Sequence, residues 1–225
     1  MKEKTMFVCS ECGYDAPKWS GKCPACGQWN TMQEMKTTSH TTDRRIAKAP
    51  PAAREVLTLA GISLAEERRL STGIGEFDRV LGGGAVAGSL ILMSGAPGIG
   101  KSTLLLQACR QIEPGKKILY VSGEESPRQL KLRADRLGVR NDSLFILSET
   151  DIDVILETAE RLSPDLLILD SVQTAYKPGV DSAPGSITQV KEITLTLLQY
   201  VKSRQTAVFL VGHINKDGAI AGPKV

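Results

Sequence analysis

Two groups of residues in this chain have the types and spacing that chemistry requires. The first is Cys9, Cys12, Cys23 and Cys26, a C-x2-C-x10-C-x2-C pattern. Each CxxC turn places two thiolates on one side of a tight turn. Two such turns supply a tetrahedral sulfur site suited to zinc. Gly13 and Gly27 follow the second cysteine of each pair, where the backbone often needs positive φ. Disulfides lack a secretion signal to support them, and a redox motif normally carries one CxxC rather than two at ribbon spacing. Four thiolates leave no position for water, so the expected zinc is structural. It supplies folding free energy that a unit of about thirty residues cannot find in a core. Trp19 and Trp29 are expected to cover it. Cys109, within LLLQACRQI, reads as a small buried hydrophobe.

The second group is Gly95-Ala96-Pro97-Gly98-Ile99-Gly100-Lys101-Ser102-Thr103, a match to G-x4-G-K-[ST] after an apolar run and before a helical pattern. Glycines there let backbone N–H groups curl around phosphate oxygens, and the following helix aims its positive end at the same atoms. Lys101 is expected to reach the β- and γ-phosphates of ATP and Ser102 to hold Mg2+. Asp170 closes the run Leu166-Leu167-Ile168-Leu169-Asp170 and is a second magnesium candidate, directly or through water. Glu124 and Glu125 follow another such run. One of them is expected to polarise the attacking water; alternation lets only one point at it, and Glu124 is the expected one. His213 ends the last run, where it reads equally as a structural side chain or as a γ-phosphate sensor.

These residues need a scaffold that gathers run ends at one edge. Apolar runs at 90–94, 118–122, 144–147, 166–170 and 207–212 are mostly continuous rather than alternating, the pattern of parallel strands buried on both faces. Helical patterns at 101–112, 127–137, 151–162 and 187–203 separate them, with Asp151 and Ser186 as N-caps. The expected fold class is α/β: a mainly parallel sheet with right-handed crossovers, preceded by a small zinc ribbon. The domains are placed at 1–35 for the ribbon, 36–55 for a polar, Thr-rich linker carrying Pro50-Pro51, and 56–225 for the main domain.

Composition limits the function classes. With 41% hydrophobic and 24% charged residues in a chain of 225, an ordinary soluble protein is expected. No run approaches the roughly 18–20 apolar residues of a membrane span, and the N-terminus lacks a signal-peptide core, so the expected location is cytoplasmic. A net charge of +3 is too balanced to argue nucleic-acid binding from overall charge. Phe7, Tyr14, Trp19 and Trp29 fall early and no aromatic follows until Phe77, which supports two units of different construction.

Leu70-Ser71-Thr72-Gly73-Ile74-Gly75-Glu76-Phe77-Asp78-Arg79-Val80-Leu81-Gly82-Gly83-Gly84, followed by the phosphate loop, resembles the opening of a RecA-family ATPase core. With a four-cysteine ribbon ahead and VSGEES and LDSVQT behind, the whole chain resembles the bacterial branch of that family that acts in DNA repair and recombination. The resemblance implies a DNA-dependent ATPase that forms a homo-hexameric ring, binds ATP between subunits, works beside a RecA-type recombinase, and drives branch migration on single-stranded and branched DNA. It sets Glu124 at the position of the catalytic glutamate and matches 174–189 and 213–225 to two DNA-carrying loops. Tyr176, Lys177, Lys216 and Lys224 suit that role by stacking and charge, or are ordinary surface turns. The basic run Arg128, Lys131, Arg133, Arg136 and Arg140 reads as a solvated face or a subunit contact. Members of that branch continue with a Lys-Asn-Arg-Phe-Gly motif and a domain resembling Lon protease. Neither is present, so the chain is expected to be the N-terminal half of a longer protein, its sheet incomplete. Two rival readings remain: an ATP-dependent assembly module in which hydrolysis is incidental, and another RecA-fold ATPase of clock or replicative-helicase type.

Overall fold

The computed structural model describes residues 4–9, 14–16, 18–24, 27–37, 58 and 68–213. They belong to two compact units, with the second taking over at Arg68. The first contains β1 (Lys4–Cys9), β2 (Asp15–Ala16) and β3 (Met32–Thr37) in an antiparallel sheet of order β2-β1-β3. Phe7 is the hinge of the register, facing Ala16 on one side and Glu34 on the other. A bridge between Lys22 and Trp29 closes a further hairpin after β2.

The second unit opens with β4 (Arg69–Leu70), helix α1 (Gly75–Val80) and β5 (Ala85–Val86), the two short strands pairing antiparallel. Five parallel strands then alternate with four helices: β6 (Leu90–Gly95), α2 (Lys101–Gln111), β7 (Ile118–Ser122), α3 (Pro127–Arg136), β8 (Leu144–Ser148), α4 (Ile152–Leu162), β9 (Leu166–Asp170), α5 (Ile187–Lys202) and β10 (Ala207–His213). The sheet order is β6-β10-β9-β7-β8. All five expected runs are strands, and the fold class holds. The first short hairpin and α1 were not among the expected elements; α1 is too short to show a helical period.

Continuous apolar runs suit the central strands because each feeds two cores. Tyr120, Ile168 and Phe209 pack with Leu105, Leu106, Cys109 and Leu130 of α2 and α3. Their neighbours Val121, Leu169 and Leu210 pack with Ile155, Ala159, Ile193 and Leu197 of α4 and α5. Each fully buried side chain of this size contributes about 1.5–3 kcal/mol. At the margins β8 leaves Phe145 and Ile146 exposed, and β6 leaves Leu92 exposed.

Caps fix where the helices start. The Asp151 side chain accepts from the Asp153 N–H, and Ser186 from the Gln189 N–H. At α3 the cap is a reciprocal box between Ser126 and Gln129, with Pro127 in the first turn. No helix among the described residues is long and apolar enough to cross a membrane.

Candidate functional site

Parallel register brings the strand ends together at one edge. Gly95 at the end of β6 lies opposite His213 at the end of β10, and Asp170 at the end of β9 lies opposite Ser122 of β7. This is the sheet edge at which open α/β folds bind ligands. The loop from Gly95 to α2 turns through left-handed Gly98 and Gly100, with φ of 77° and 102°. A side chain at either would be strained. Gly100 caps α2 without a side-chain bond, and no acidic residue lies in the first turn. The N–H groups and positive end of an eleven-residue helix are therefore left for an anion.

Lys101 is buried, and its ammonium donates to the Gly95 and Ala96 carbonyls at 2.7 and 2.9 Å. It also lies 3.2 Å from His213 Nδ1. The other ring nitrogen, Nε2, lies 3.5 Å from Glu124 Oε1. The Ser171 hydroxyl donates to that same oxygen at 2.9 Å. Lys101, His213, Glu124 and Ser171 thus form one continuous polar chain.

Asp170 sits beside it, nearly buried, and its Oδ2 accepts a 2.6 Å hydrogen bond from the Tyr120 hydroxyl. Burial, reinforced by the Asp170 charge, pushes the Tyr120 phenol far up, so it remains a donor. The Asp170–Ser171 peptide is cis. Gly123 lets the two loops meet. A Cβ there would overlap the Thr174 hydroxyl, and the Gly123 N–H donates to the Asp170 carbonyl at 3.1 Å.

The adjacent carboxylates part company at this point. Glu125 pairs with Arg133 of α3 and donates its N–H to the Ser122 hydroxyl. Glu124 faces Ser171 and His213. Ser102 and Thr103 open α2 beside Lys101. The loop conformation, the free helix end and the carboxylate at the strand end fit a nucleotide triphosphate with its magnesium.

The loop residues predicted to meet DNA are engaged within the unit. The Tyr176 N–H donates to the Thr150 carbonyl at 2.8 Å, and its hydroxyl lies 3.4 Å from Asp151. The Asp151 charge raises its pKa. The Lys177 ammonium donates to the Thr196 hydroxyl at 2.7 Å. Buried Gln189 ties the segment together, accepting from the Lys177 N–H and donating to the Val180 and Ser182 carbonyls. Lys216 and Lys224 lie outside the described residues. Of the basic run, Lys131 pairs with Asp135 and Arg133 with Glu125.

In the first unit Cys9 and Cys23 are buried. Cys12 and Cys26 lie outside the described residues. The Cys9 N–H donates to the Tyr14 carbonyl and the Cys23 N–H to the Gln28 carbonyl, each at 2.9 Å. Gly27 adopts φ 73°, as its place after a cysteine turn predicts. Two buried cysteines with matching backbone hydrogen bonds fit thiolate ligands to a metal. Trp19 and Trp29, expected as its cover, are instead 58% and 68% exposed. The Lys22 ammonium stands over the Trp29 ring. Cys109 is buried in the second unit, and burial pushes its thiol up to about 12.

Sequence reasoning missed Ser171, Tyr120 and Arg133 as members of the site. Tyr120 carried a usable signal, because a hydroxyl inside an otherwise apolar strand needs a partner. Ser171 carried none, since its contact joins segments 47 residues apart, and Arg133 was read only as one of a run of basic residues.

Comparison with known proteins adds independent findings. A family model described as an AAA domain matches residues 62–219. A second, described as a rubredoxin metal binding domain, matches residues 7–34. DNA repair protein RadA of Bacillus subtilis is 48% identical over 100% of this chain and 50% of its own length. The proteins of that name from Aquifex aeolicus and Escherichia coli are each 47% identical, over 100% and 99% of this chain and 49% of their own. The chain spans about half the length of these curated relatives. Among solved structures, a KaiC-like protein from Pyrococcus horikoshii superposes with a TM-score of 0.57 at 20% identity, covering 69% of this chain and 74% of that one, which shows a shared fold.

Proposed function

We propose that this chain, which belongs to the AAA-domain family, binds and hydrolyses ATP and couples hydrolysis to DNA repair. The observation that carries the reading is the polar chain Lys101–His213–Glu124–Ser171, drawn from four segments to the mouth of the phosphate loop. Lys101 exchanges the Gly95 and Ala96 carbonyls for the β- and γ-phosphate oxygens. Backbone N–H groups of the loop and the first turn of α2 hold those oxygens. Ser102 and Asp170 would hold magnesium, which supplies charge neutralisation at the phosphates when bound. Glu124 accepts a proton from, and orients, the water that attacks. His213 touches both Lys101 and Glu124, so a change at either reaches the segment that follows β10.

Relatives named as DNA repair proteins support the coupling to DNA. We extend it to single-stranded and branched DNA, a hexameric ring and a recombinase partner, with Tyr176, Lys177, Lys216 and Lys224 as the contacts. The ribbon would hold one zinc through Cys9, Cys12, Cys23 and Cys26.

Lys101→Ala in the natural full-length protein abolishes ATP turnover on this reading. Normal turnover in that variant would sink it. An ATPase rate that single-stranded DNA leaves unchanged would remove the DNA coupling and favour an assembly module in which hydrolysis is incidental.

A further inference from the structure

We infer that Ser171 is the residue that positions Glu124. The inference rests on the reading of Glu124 as the carboxylate that orients water. Ser171 is completely buried, although it follows the last residue of β9 at the site edge. Its hydroxyl donates to Glu124 Oε1 at 2.9 Å. Glu124 itself is exposed, on a loop with no helix or strand to hold it. An exposed carboxylate keeps several rotamers unless something selects one. His213 approaches the same oxygen at the longer distance of 3.5 Å, and the γ-phosphate contact proposed for that ring would draw on it during the reaction.

Ser171 is itself held in place. Its carbonyl accepts from the Thr174 hydroxyl at 2.8 Å and from the Thr174 N–H at 3.3 Å. Thr174 also packs where a Gly123 side chain would sit, one residue before Glu124. The turn from Ser171 to Thr174 is thus a rigid support. It grips the loop backbone at Gly123 and the carboxylate of the next residue. A charged acceptor makes this the stronger kind of hydrogen bond. Donation to Oε1 leaves Oε2 as the basic atom for water. The role belongs to the chemical step and not to nucleotide affinity, because the hydrogen bonds of Ser171 go to Glu124 and Thr174 rather than to the phosphate loop.

The test measures three quantities in the full-length protein carrying Ser171→Ala, Ser171→Cys, Glu124→Gln, or Ser171→Ala with Glu124→Gln. They are turnover, affinity for a fluorescent ATP analogue, and affinity for ADP–fluoroaluminate, which mimics the transferring phosphoryl group with its in-line water. Ser171→Ala should lower kcat about ten- to hundred-fold, the size of one hydrogen bond to a charged group. KM and analogue affinity should stay within about two-fold, while the fluoroaluminate complex weakens in parallel with kcat. Ser171→Cys, a weaker donor of similar size, should fall between. In the Glu124→Gln background the Ser171→Ala change should add less than about three-fold. Wild-type kcat in Ser171→Ala, a loss of analogue affinity equal to the loss of kcat, or full additivity with Glu124→Gln would each overturn the inference and leave the ATPase reading standing. A wild-type protein that neither binds nor turns over ATP would overturn both.

Discussion

Glu124 and Glu125 are identical side chains one peptide apart, yet their neighbours assign them opposite work. Glu125 is neutralised by Arg133 and tied to Ser122, whereas Glu124 meets a hydroxyl and an imidazole at the strand ends. Glu124→Gln should lower kcat by about two to four orders of magnitude, the range of general base removal. Glu125→Gln should leave kcat within about three-fold and cost at most about 1 kcal/mol, as expected of a partly exposed ion pair. Steady-state ATPase assays of the two variants side by side check the assignment; reversed effects would reject it. Asp78 makes a different prediction. Burial pushes its carboxyl up, but hydrogen bonds from Ser71, Thr72 and Gly73 outweigh that, and its pKa settles below the usual 3.8. A depressed folded-state value means the carboxylate stabilises the fold above the unfolded pKa and loses that contribution as pH falls through the folded one. Asp78→Asn should therefore cost about 1 kcal/mol at neutral pH, after allowing for solvent screening, and progressively less in acid. Urea midpoints of variant and wild type should converge below pH 3.8. A gap that persists undiminished in acid would refute the argument.

At the level of elements, the site is an agreement between loops that follow different strands. The turn after β7 and the turn after β9 interpenetrate at Gly123, where a methyl group would meet the Thr174 hydroxyl and the Thr150 methyl. Gly123→Ala should displace Glu124 from Ser171 and lower turnover about a hundred-fold, while the helical circular dichroism signal is retained. Full turnover in this variant would show that the loops have room to spare. The α3 capping box is the separate, purely structural counterpart. Ser126→Ala should cost about 1 kcal/mol in thermal or urea unfolding. The same distinction explains what was legible beforehand. The phosphate loop is a contiguous string whose chemistry is local, so its residues could be named without a fold. The strands β6 to β10 were legible because strands feeding two cores need unbroken apolar runs. Strand β3 went unread because MQEMKT carries no apolar run or strict alternation, and the short run at 6–9 in β1 was absorbed into the reading of the cysteine pattern. The Ser171–Glu124 and Tyr120–Asp170 pairs could not be read, because they depend on the register of β7 against β9.

For the molecule as a whole, two units of different construction should respond to different insults. The first holds a three-stranded antiparallel sheet with buried Cys9 and Cys23, and the second holds a five-stranded sheet between two apolar cores. A strong chelator should strip about one zinc per chain and abolish amide protection across residues 4–37, while the hydrogen-exchange protection of β7 and β9 stays unchanged. Loss of protection in both places would mean that the metal supports the entire protein. The order of the large sheet has a further consequence, for the history of each newly made chain. Among the described strands, β6 is hydrogen-bonded only to β10, with Leu90 beside Val208. The segment carrying the phosphate loop is therefore synthesised early, and its neighbour among these strands is synthesised last of the five. Until β10 has been made, β6 has no native partner among these strands. The interval ends only when the strand bearing His213 slides between β6 and β9, the same event that delivers the imidazole to Lys101 and Glu124. Joining β6 to β9 through β10 and gathering these polar residues are thus a single event.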